Sequence, residues 1–435
     1  MVPTLRFYLL LALGGLLAMG LAQGFGQGIA LGGLGLYDVV LITFGLIDAR
    51  QARKQRIQVQ RLPFGPLSIG RDNVIHLSLT SQGQAARVWI RDAYPSQFIV
   101  SQHTLRAALQ PRSQQILSYS LQPNQRGQYP WGQIQVRQLG PWGLSWQDWR
   151  IPATTSVAVH PDLMALKSLS IRLTLESSGN LRQARRLGLG TEFTELRDYQ
   201  QGDDLRYVDW KATARRARPL VRVLEPDREQ TVMILLDRGR LMTAQVAGLQ
   251  RFDWGLNTAL ALALAALHRG DRVGLGVFDQ QIAAWLPPER GLARLSLMLD
   301  TVSPLQPVLQ EPDYVGAISR LVSQQTRRAL VVVITDLIDE TASAELLAAL
   351  VRLMPRYLPF CVTLRDPQVD QLAEMPIQTI SQAYRQAVAR HLLEQRRVAL
   401  AKLKQRGGLV LDAPASQVSQ QLVDQYLRLK AKTLL

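Results

Sequence analysis

The chain has 435 residues, 47% of them apolar and 19% charged, and 50 lysines and arginines against 34 acids leave a formal net charge of +16. That length predicts two or three domains with ample core, and the charge favours anionic surroundings: phospholipid headgroups, nucleic acid or an acidic protein. A single cysteine, Cys361, excludes an internal disulfide and a thiolate-rich zinc site, and its place in the apolar run LPFCVTL marks it as a packed core thiol.

From Leu5 to Ala22 and from Gly28 to Ile47 the chain is almost wholly apolar, and each run approaches the ~20 residues that cross a bilayer as a helix. The short link Gln23-Gly24-Phe25-Gly26-Gln27 predicts a transmembrane helical hairpin over residues 1–49. Arg50, Arg53, Lys54 and Arg56 follow it and Arg6 stands at its other end, so the positive-inside rule places both ends in the cytoplasm. Gly20-Leu21-Ala22 also resembles a signal-peptide cleavage site. Under that reading the second segment still anchors the chain. The expected location is therefore the cell membrane, multi-pass, with the bilayer as first partner and the bulk of the chain cytoplasmic. Asp38, inside the second segment, is read as a protonated acid satisfied within the hairpin, ahead of a contact between copies. Gly28 and Gly32 have the spacing that permits close helix packing.

Residues 50–152 change to short alternating runs (VIHLSLT, ARVWIRD, QILSYSL, WGQIQVRQL) separated by turn signals. This pattern predicts an antiparallel β-sandwich of immunoglobulin-like type. Trp89, Trp131, Trp142, Trp146 and Trp149 fall here and are read as core and edge packing rather than as stacking platforms for sugars or bases. Residues 153–230 read as a connector with a short strand, VAVHP. From 231 to 435 aliphatic strands (TVMILLD, RVGLGVF, QIAAWL, ALVVVITD, LPFCVTL, GLVLD) alternate with amphipathic helices, which predicts an α/β domain with a doubly wound, mostly parallel sheet.

Several chemistries are excluded by missing motifs. No lysine follows a glycine, so there is no Walker A loop, and HExxH, CxxC and GxSxG are absent. Two carboxylates remain well placed: Asp237 ends TVMILLD and Asp336 ends ALVVVITD, so both project from the carboxyl edge of the sheet. This arrangement resembles the von Willebrand factor A fold. Its metal site uses a DxSxS loop, a threonine from a second loop and an Asp after the fourth strand, and it binds magnesium. Here the loop reads Asp237-Arg238-Gly239-Arg240-Leu241, with both serines replaced, and SPLQPVLQEPDYVG offers no obvious threonine. The expectation is a degenerate site that holds no cofactor, magnesium included.

The densest polar stretch precedes the first of these strands. Phe193, Leu196-Arg197, Tyr199, Gly202-Asp203, Arg206, Asp209-Trp210, Ala214-Arg215 and Leu220-Val221 resemble the hallmark of the domain-of-unknown-function 58 family, which comprises membrane-anchored bacterial and archaeal proteins. The paired apolar segments, the run QRGQYPWGQIQVRQLGPWGL and the C-terminal YLRLK helix fit as well, so the likeness extends over nearly the whole chain. It implies a von Willebrand A-like module acting with a MoxR-type AAA+ ATPase in assembling or remodelling other proteins, with no settled biochemical activity.

Read physically, Gly202 supports a tight turn, and Asp203 and Asp204 are placed to cap a helix. Trp210 buries against the sheet, while Arg197, Arg206 and Arg215 pair with Asp198, Asp203 and Asp209 in a half-buried network. Such a network either locks the connector or faces a partner. No activated nucleophile or acid–base pair is identifiable, so the expectation is a non-catalytic interaction protein that docks an AAA+ ATPase. Two alternatives stand beside it. One is a binder of nucleic acid or anionic lipid, although Arg385, Arg390, Arg396 and Arg397 read as a solvated face. The other is a magnesium-dependent hydrolase on Asp237 and Asp336 with the acids at 203, 204 and 209.

Overall fold

The computed structural model describes residues 2–25, 27–162, 165–174, 192–201, 203–225, 230–337 and 344–431. Its contacts fall into two units, Met1–His160 and Pro161–Leu435.

In the first unit, α1 (Leu5–Phe25) and α2 (Gln27–Lys54) are both long and apolar enough to cross a membrane. Gly26 of the link lies outside the described residues. The two helices approach closely because Gly14 leaves room for the Tyr37 ring, whose hydroxyl donates to the Leu10 carbonyl at 2.9 Å. Leu9, Leu13, Leu17, Ile29, Leu31, Leu36 and Val39 remain exposed on the outside. Asp38 departs from expectation: its Oδ1 is buried without a hydrogen-bond partner, so the hairpin does not satisfy that oxygen.

The β-rich part is a sandwich. One antiparallel sheet runs Val2–Pro3, Ser145–Ile151, Ile134–Leu139, Ala86–Asp92, Leu105–Leu109, and the other Gln58–Arg61, Asn73–Thr80, Gln114–Gln122, Ile99–Val100. Alternation fixes which side faces inward: Ala86, Val88, Ile90 and Asp92 are buried in turn. Asp92 ties the sheets together, accepting from Arg61 Nη2 at 2.5 Å, Tyr119 OH at 2.7 Å and Trp131 Nε1 at 3.2 Å. Because Val2–Pro3 is an edge strand of this sheet, cleavage after Ala22 would remove it. The strand Thr155–His160, read from the sequence as part of the connector, pairs with Gly127–Trp131 and Leu67–Ser68 within the first unit.

The second unit is built on six strands: β1 (Thr231–Asp237), β2 (Arg272–Phe278), β3 (Ile282–Glu289), β4 (Leu330–Thr335), β5 (Leu358–Arg365) and β6 (Leu409–Pro414). Their order is β3-β2-β1-β4-β5-β6, with β3 antiparallel at one edge and every other pairing parallel. Alternate residues of β1 feed two cores. Val232, Ile234 and Leu236 pack with α3 (Arg251–His268) and the helices Ala293–Val302 and Val418–Ala431. Met233 and Leu235 pack with Tyr314–Gln324, Ala344–Val351 and the carboxyl-terminal part of α4 (Ile380–Gln405). A sheet covered on both faces explains the continuous aliphatic strands.

At the amino edge, fully buried Asp271 accepts from the Gln230 backbone at 3.1 Å and from Tyr426 OH and Lys430 Nζ of the last helix. Burial pushes its carboxyl up, opposed by Lys430. Lys430→Met would strand this carboxylate, and the expected cost is about 3 kcal/mol or more. Thermal denaturation of the full chain in detergent checks this, and an unchanged midpoint would contradict it.

Candidate functional site

β1 and β4 are parallel neighbours, so Asp237 and Asp336 reach the same carboxyl edge, as the sequence predicts. Asp237 is fully buried. The Gly239 backbone donates to its Oδ1 at 2.6 Å, Thr335 Oγ1 donates to Oδ2 at 2.6 Å, and Tyr314 OH lies 3.0 Å from that same oxygen. Burial pushes this carboxyl up to about 6, against the pull of those three donors. Asp336 meets two guanidinium groups. Arg251, the first residue of α3, stands 2.9 Å from Oδ2, and Arg396 of α4 donates to Oδ1 at 2.6 Å. Arg396 also reaches the Leu337 carbonyl at 2.5 Å and Asp412 Oδ1 at 2.9 Å, and Thr363 donates to that Asp412 oxygen at 2.8 Å. Burial opposes the charge on Arg396, but Asp336 and Asp412 hold the guanidinium above its ordinary range.

Two sequence expectations are corrected here. Arg396 is buried at the edge and is not part of a solvated face. Hydroxyls are also present beside Asp237 although both serines of the DxSxS pattern are replaced; Thr335, immediately before Asp336, and Tyr314 supply them.

The residues do not fit the magnesium site that the von Willebrand A resemblance implies. Both oxygens of Asp336 are engaged by guanidinium groups, so a dication there would face two fixed positive charges. At Gly239 a Cβ would stand 2.8 Å from the Gln310 carbonyl oxygen and 2.9 Å from Pro312 Cδ, leaving no space for the serine of a DxSxS loop. That closure is held by Val308 N to Arg238 O at 2.8 Å and Arg240 N to Gln310 O at 2.7 Å. Arg238 and Arg240 themselves pair with Asp279 at 2.5 Å and Glu311 at 2.6 Å. Among the described residues, no group of three or more His, Cys, Asp or Glu side chains converges as a metal site requires.

The motif forms a second, separate constellation. Strands Glu192–Asp198 and Leu220–Glu225 pair antiparallel and enclose a 3-10 turn, Leu205–Tyr207, and the helix Trp210–Arg216. Phe193 lies opposite Leu224 in the ladder, while its side chain and all of Gly202 fall outside the described residues. Tyr199 closes the hairpin through its backbone N–H to the Pro219 carbonyl at 3.0 Å. The ion pairs differ from those expected. Arg197 pairs with Asp203 at 2.6 Å, Arg206 with Asp204 at 2.6 Å, Arg218 with Asp198 at 3.1 Å and Arg222 with Asp209 at 2.8 Å. These are local pairs across one short hairpin, with Asp203 and Asp209 half-buried and the arginines largely facing solvent, and among the described residues they do not join into one buried network. The Arg197 hydrogen bond holds the Asp203 carboxyl below its usual range. Asp209 caps the helix, and the backbone N–H of Ala212, then Arg222, lower its carboxyl likewise. Because Asp203, Asp204 and Asp209 bond within the motif, they do not join Asp237 and Asp336 in one site.

Trp210 is not buried against the sheet; it is 68% exposed, and Leu205 of the 3-10 turn is 64% exposed. Tyr207 is exposed as well, while Val208, Leu220 and Val221 take the inner positions. Lys211, Arg215 and Arg216 are exposed on the same short helix as Trp210, and no acid pairs with them among the described residues. The hairpin therefore leaves both apolar and cationic groups exposed.

Residues 195–398 match the family described as "Protein of unknown function DUF58". That match takes in a little under half of the chain. This region runs from the motif hairpin into α4, and the apolar helices and the β-sandwich lie outside the match. Uncharacterized proteins of Mycobacterium bovis and Mycobacterium tuberculosis are 30% identical over 178 residues, which is 40% of this chain and 56% of theirs. The chain thus spans little more than half the length of these relatives. Among solved structures, the conserved hypothetical protein BatB from Bacteroides thetaiotaomicron is 17% identical with a TM-score of 0.31, covering 47% of this chain and 99% of BatB. The SpRpn10 VWA domain is 13% identical with a TM-score of 0.28, covering 45% of this chain and 94% of that domain. At such scores the fold rests on the strand order of the DUF58-containing unit itself.

Asp237 supplies a test of the edge. Its folded pKa of about 6 lies above the ordinary 3.8, so the folded state retains this proton while the unfolded chain loses it, and stability falls as pH rises through that window. Asp237→Asn removes the titration. The stability of the variant relative to wild type is expected to rise by roughly 2–3 kcal/mol between about pH 4 and about pH 7. Paired denaturation curves of the full chain measure it, and a difference that does not vary with pH would contradict a proton-holding Asp237.

Proposed function

We propose that this protein is a membrane-anchored, non-catalytic docking protein whose DUF58 region presents the motif hairpin to a partner, and that the partner is a MoxR-type AAA+ ATPase engaged in protein assembly or remodelling. The observation that carries the reading is the outward position of Trp210, with Leu205 and Tyr207, beside Lys211, Arg215 and Arg216. A large aromatic group left in water at the edge of a cationic patch has the composition of an interface centre, where tryptophan, tyrosine and arginine carry most of the binding energy. Exposed cations on the same helix, with no acid paired to them among the described residues, select an acidic partner surface and raise the association rate. The anchor is supported by α1 and α2, whose length and composition suit a bilayer. Cytoplasmic placement of the two units follows the cluster Arg50, Arg53, Lys54 and Arg56 after α2.

Capture of a purified MoxR-type ATPase by the detergent-solubilised full chain, with nucleotide at low salt, tests the reading. Trp210→Ala is expected to weaken capture by about 2 kcal/mol. Arg215→Glu with Arg216→Glu should weaken it further and flatten its salt dependence. Failure of the wild type to capture the ATPase, or equal capture by all variants, would contradict it.

A further inference from the structure

The apolar hairpin and the β-sandwich meet at one turn, Gly140–Ser145, at the level where the apolar segments end. On the α2 side, fully buried Asp48 accepts from the backbone N–H groups of Trp142 at 2.8 Å, Leu144 at 3.1 Å and Ser145 at 2.9 Å, and from Ser145 Oγ at 2.9 Å. Gly140 must be glycine here, because a Cβ would collide with the Asp48 carboxylate. On the α1 side, Thr4 N–H donates to the Leu144 carbonyl at 3.0 Å and Thr4 Oγ1 to the Gly143 carbonyl at 2.8 Å. Val2 and Pro3 pair with Trp146 and Ser145. Both legs of the hairpin therefore grip the same turn, and its position relative to the apolar helices is fixed.

Two side chains at this junction, Trp142 of the turn and Arg6 of α1, stand exposed. Trp142 is 44% exposed and meets Phe44 edge-on, with ring centroids 5.5 Å apart; Phe44, itself 48% exposed, belongs to the apolar segment of α2. Arg6 lies against Gly143, its Nη1 3.2 Å from where a Cβ would stand, and it is exposed with no acid paired to it among the described residues. A tryptophan continuous with a membrane span, next to an uncompensated guanidinium, has the chemistry of the acyl–headgroup boundary. The planar guanidinium suits a phosphate oxygen pair.

We infer that the Gly140–Ser145 turn is a lipid-binding element, in which Trp142 and Phe44 occupy the acyl–headgroup boundary and Arg6 binds the phosphate of an anionic phospholipid headgroup. This rests on the reading of α1 and α2 as membrane spans. Asp48 and Thr4 give the element its function, since they hold the β-sandwich against the bilayer surface rather than on a loose tether.

The test uses the full chain reconstituted into vesicles of phosphatidylcholine with phosphatidylglycerol, some carrying lipids brominated high on the acyl chain. Flotation under alkaline carbonate first reports whether the hairpin spans. A chain that fails to float overturns the membrane reading and this inference with it. For chains that float, wild-type tryptophan emission is expected to lose a larger fraction to the brominated lipid than Trp142→Phe does, and equal quenching would overturn the seat at Trp142 alone. Native mass spectrometry of detergent-extracted protein is expected to show several-fold less retained phosphatidylglycerol in Arg6→Gln than in wild type. Equal retention would overturn the headgroup contact.

Discussion

A buried charge at the carboxyl edge of a parallel sheet is costly unless it is paired, and in this chain two arginines pair with Asp336. Arg251 comes from the start of α3 and Arg396 from the middle of α4, so a single acid draws together helices from opposite faces of the sheet. Removing either partner would leave charge uncompensated in a low-dielectric setting, which is costly by several kcal/mol. Arg396 extends the arrangement to Asp412 within β6, and its ladder neighbour Thr363 of β5 completes it. Guanidinium groups thereby do structurally what a dication would otherwise do.

The consequence for function is a change of place. Open α/β sheets commonly bind ligands at this edge. Here the loop after β1 is closed by the 308–312 segment, and Asp237 keeps its oxygens for Gly239, Thr335 and Tyr314. Little space remains beside Gly239. The outward groups lie elsewhere, on the motif hairpin, where local ion pairs hold a small frame and leave Trp210, Arg215 and Arg216 facing solvent. In the other unit, the buried acid Asp48 has a comparable role at the foot of the hairpin, fixing geometry by accepting four donors.

Much of the architecture was legible because its signals are local. Continuous aliphatic runs marked β1, β2, β4 and β5, and strand ends marked Asp237 and Asp336. The short helix Pro367–Glu374, capped by Asp366, escaped notice because its amphipathic pattern spans barely two turns. What sequence could not supply were partners brought together by folding. Arg396 is 60 positions from Asp336 and sits among Arg385, Arg390 and Arg397, with nothing local to distinguish the buried arginine from its exposed neighbours. Tyr314 lies 77 positions from Asp237 and looked like an ordinary residue at a helix start. Trp210 was expected inside because tryptophan is costly to expose; yet Val208, Leu220 and Val221 already fill the inner positions of the hairpin.

Arginine, rather than a metal ion, compensates Asp336 and Asp412, while hydroxyl and backbone donors occupy Asp237. Calorimetric titration of the detergent-solubilised full chain with magnesium and with manganese tests it most directly. The account predicts a flat titration for wild type and for Asp237→Ala alike. A saturable binding signal in wild type that Asp237→Ala abolishes would contradict it.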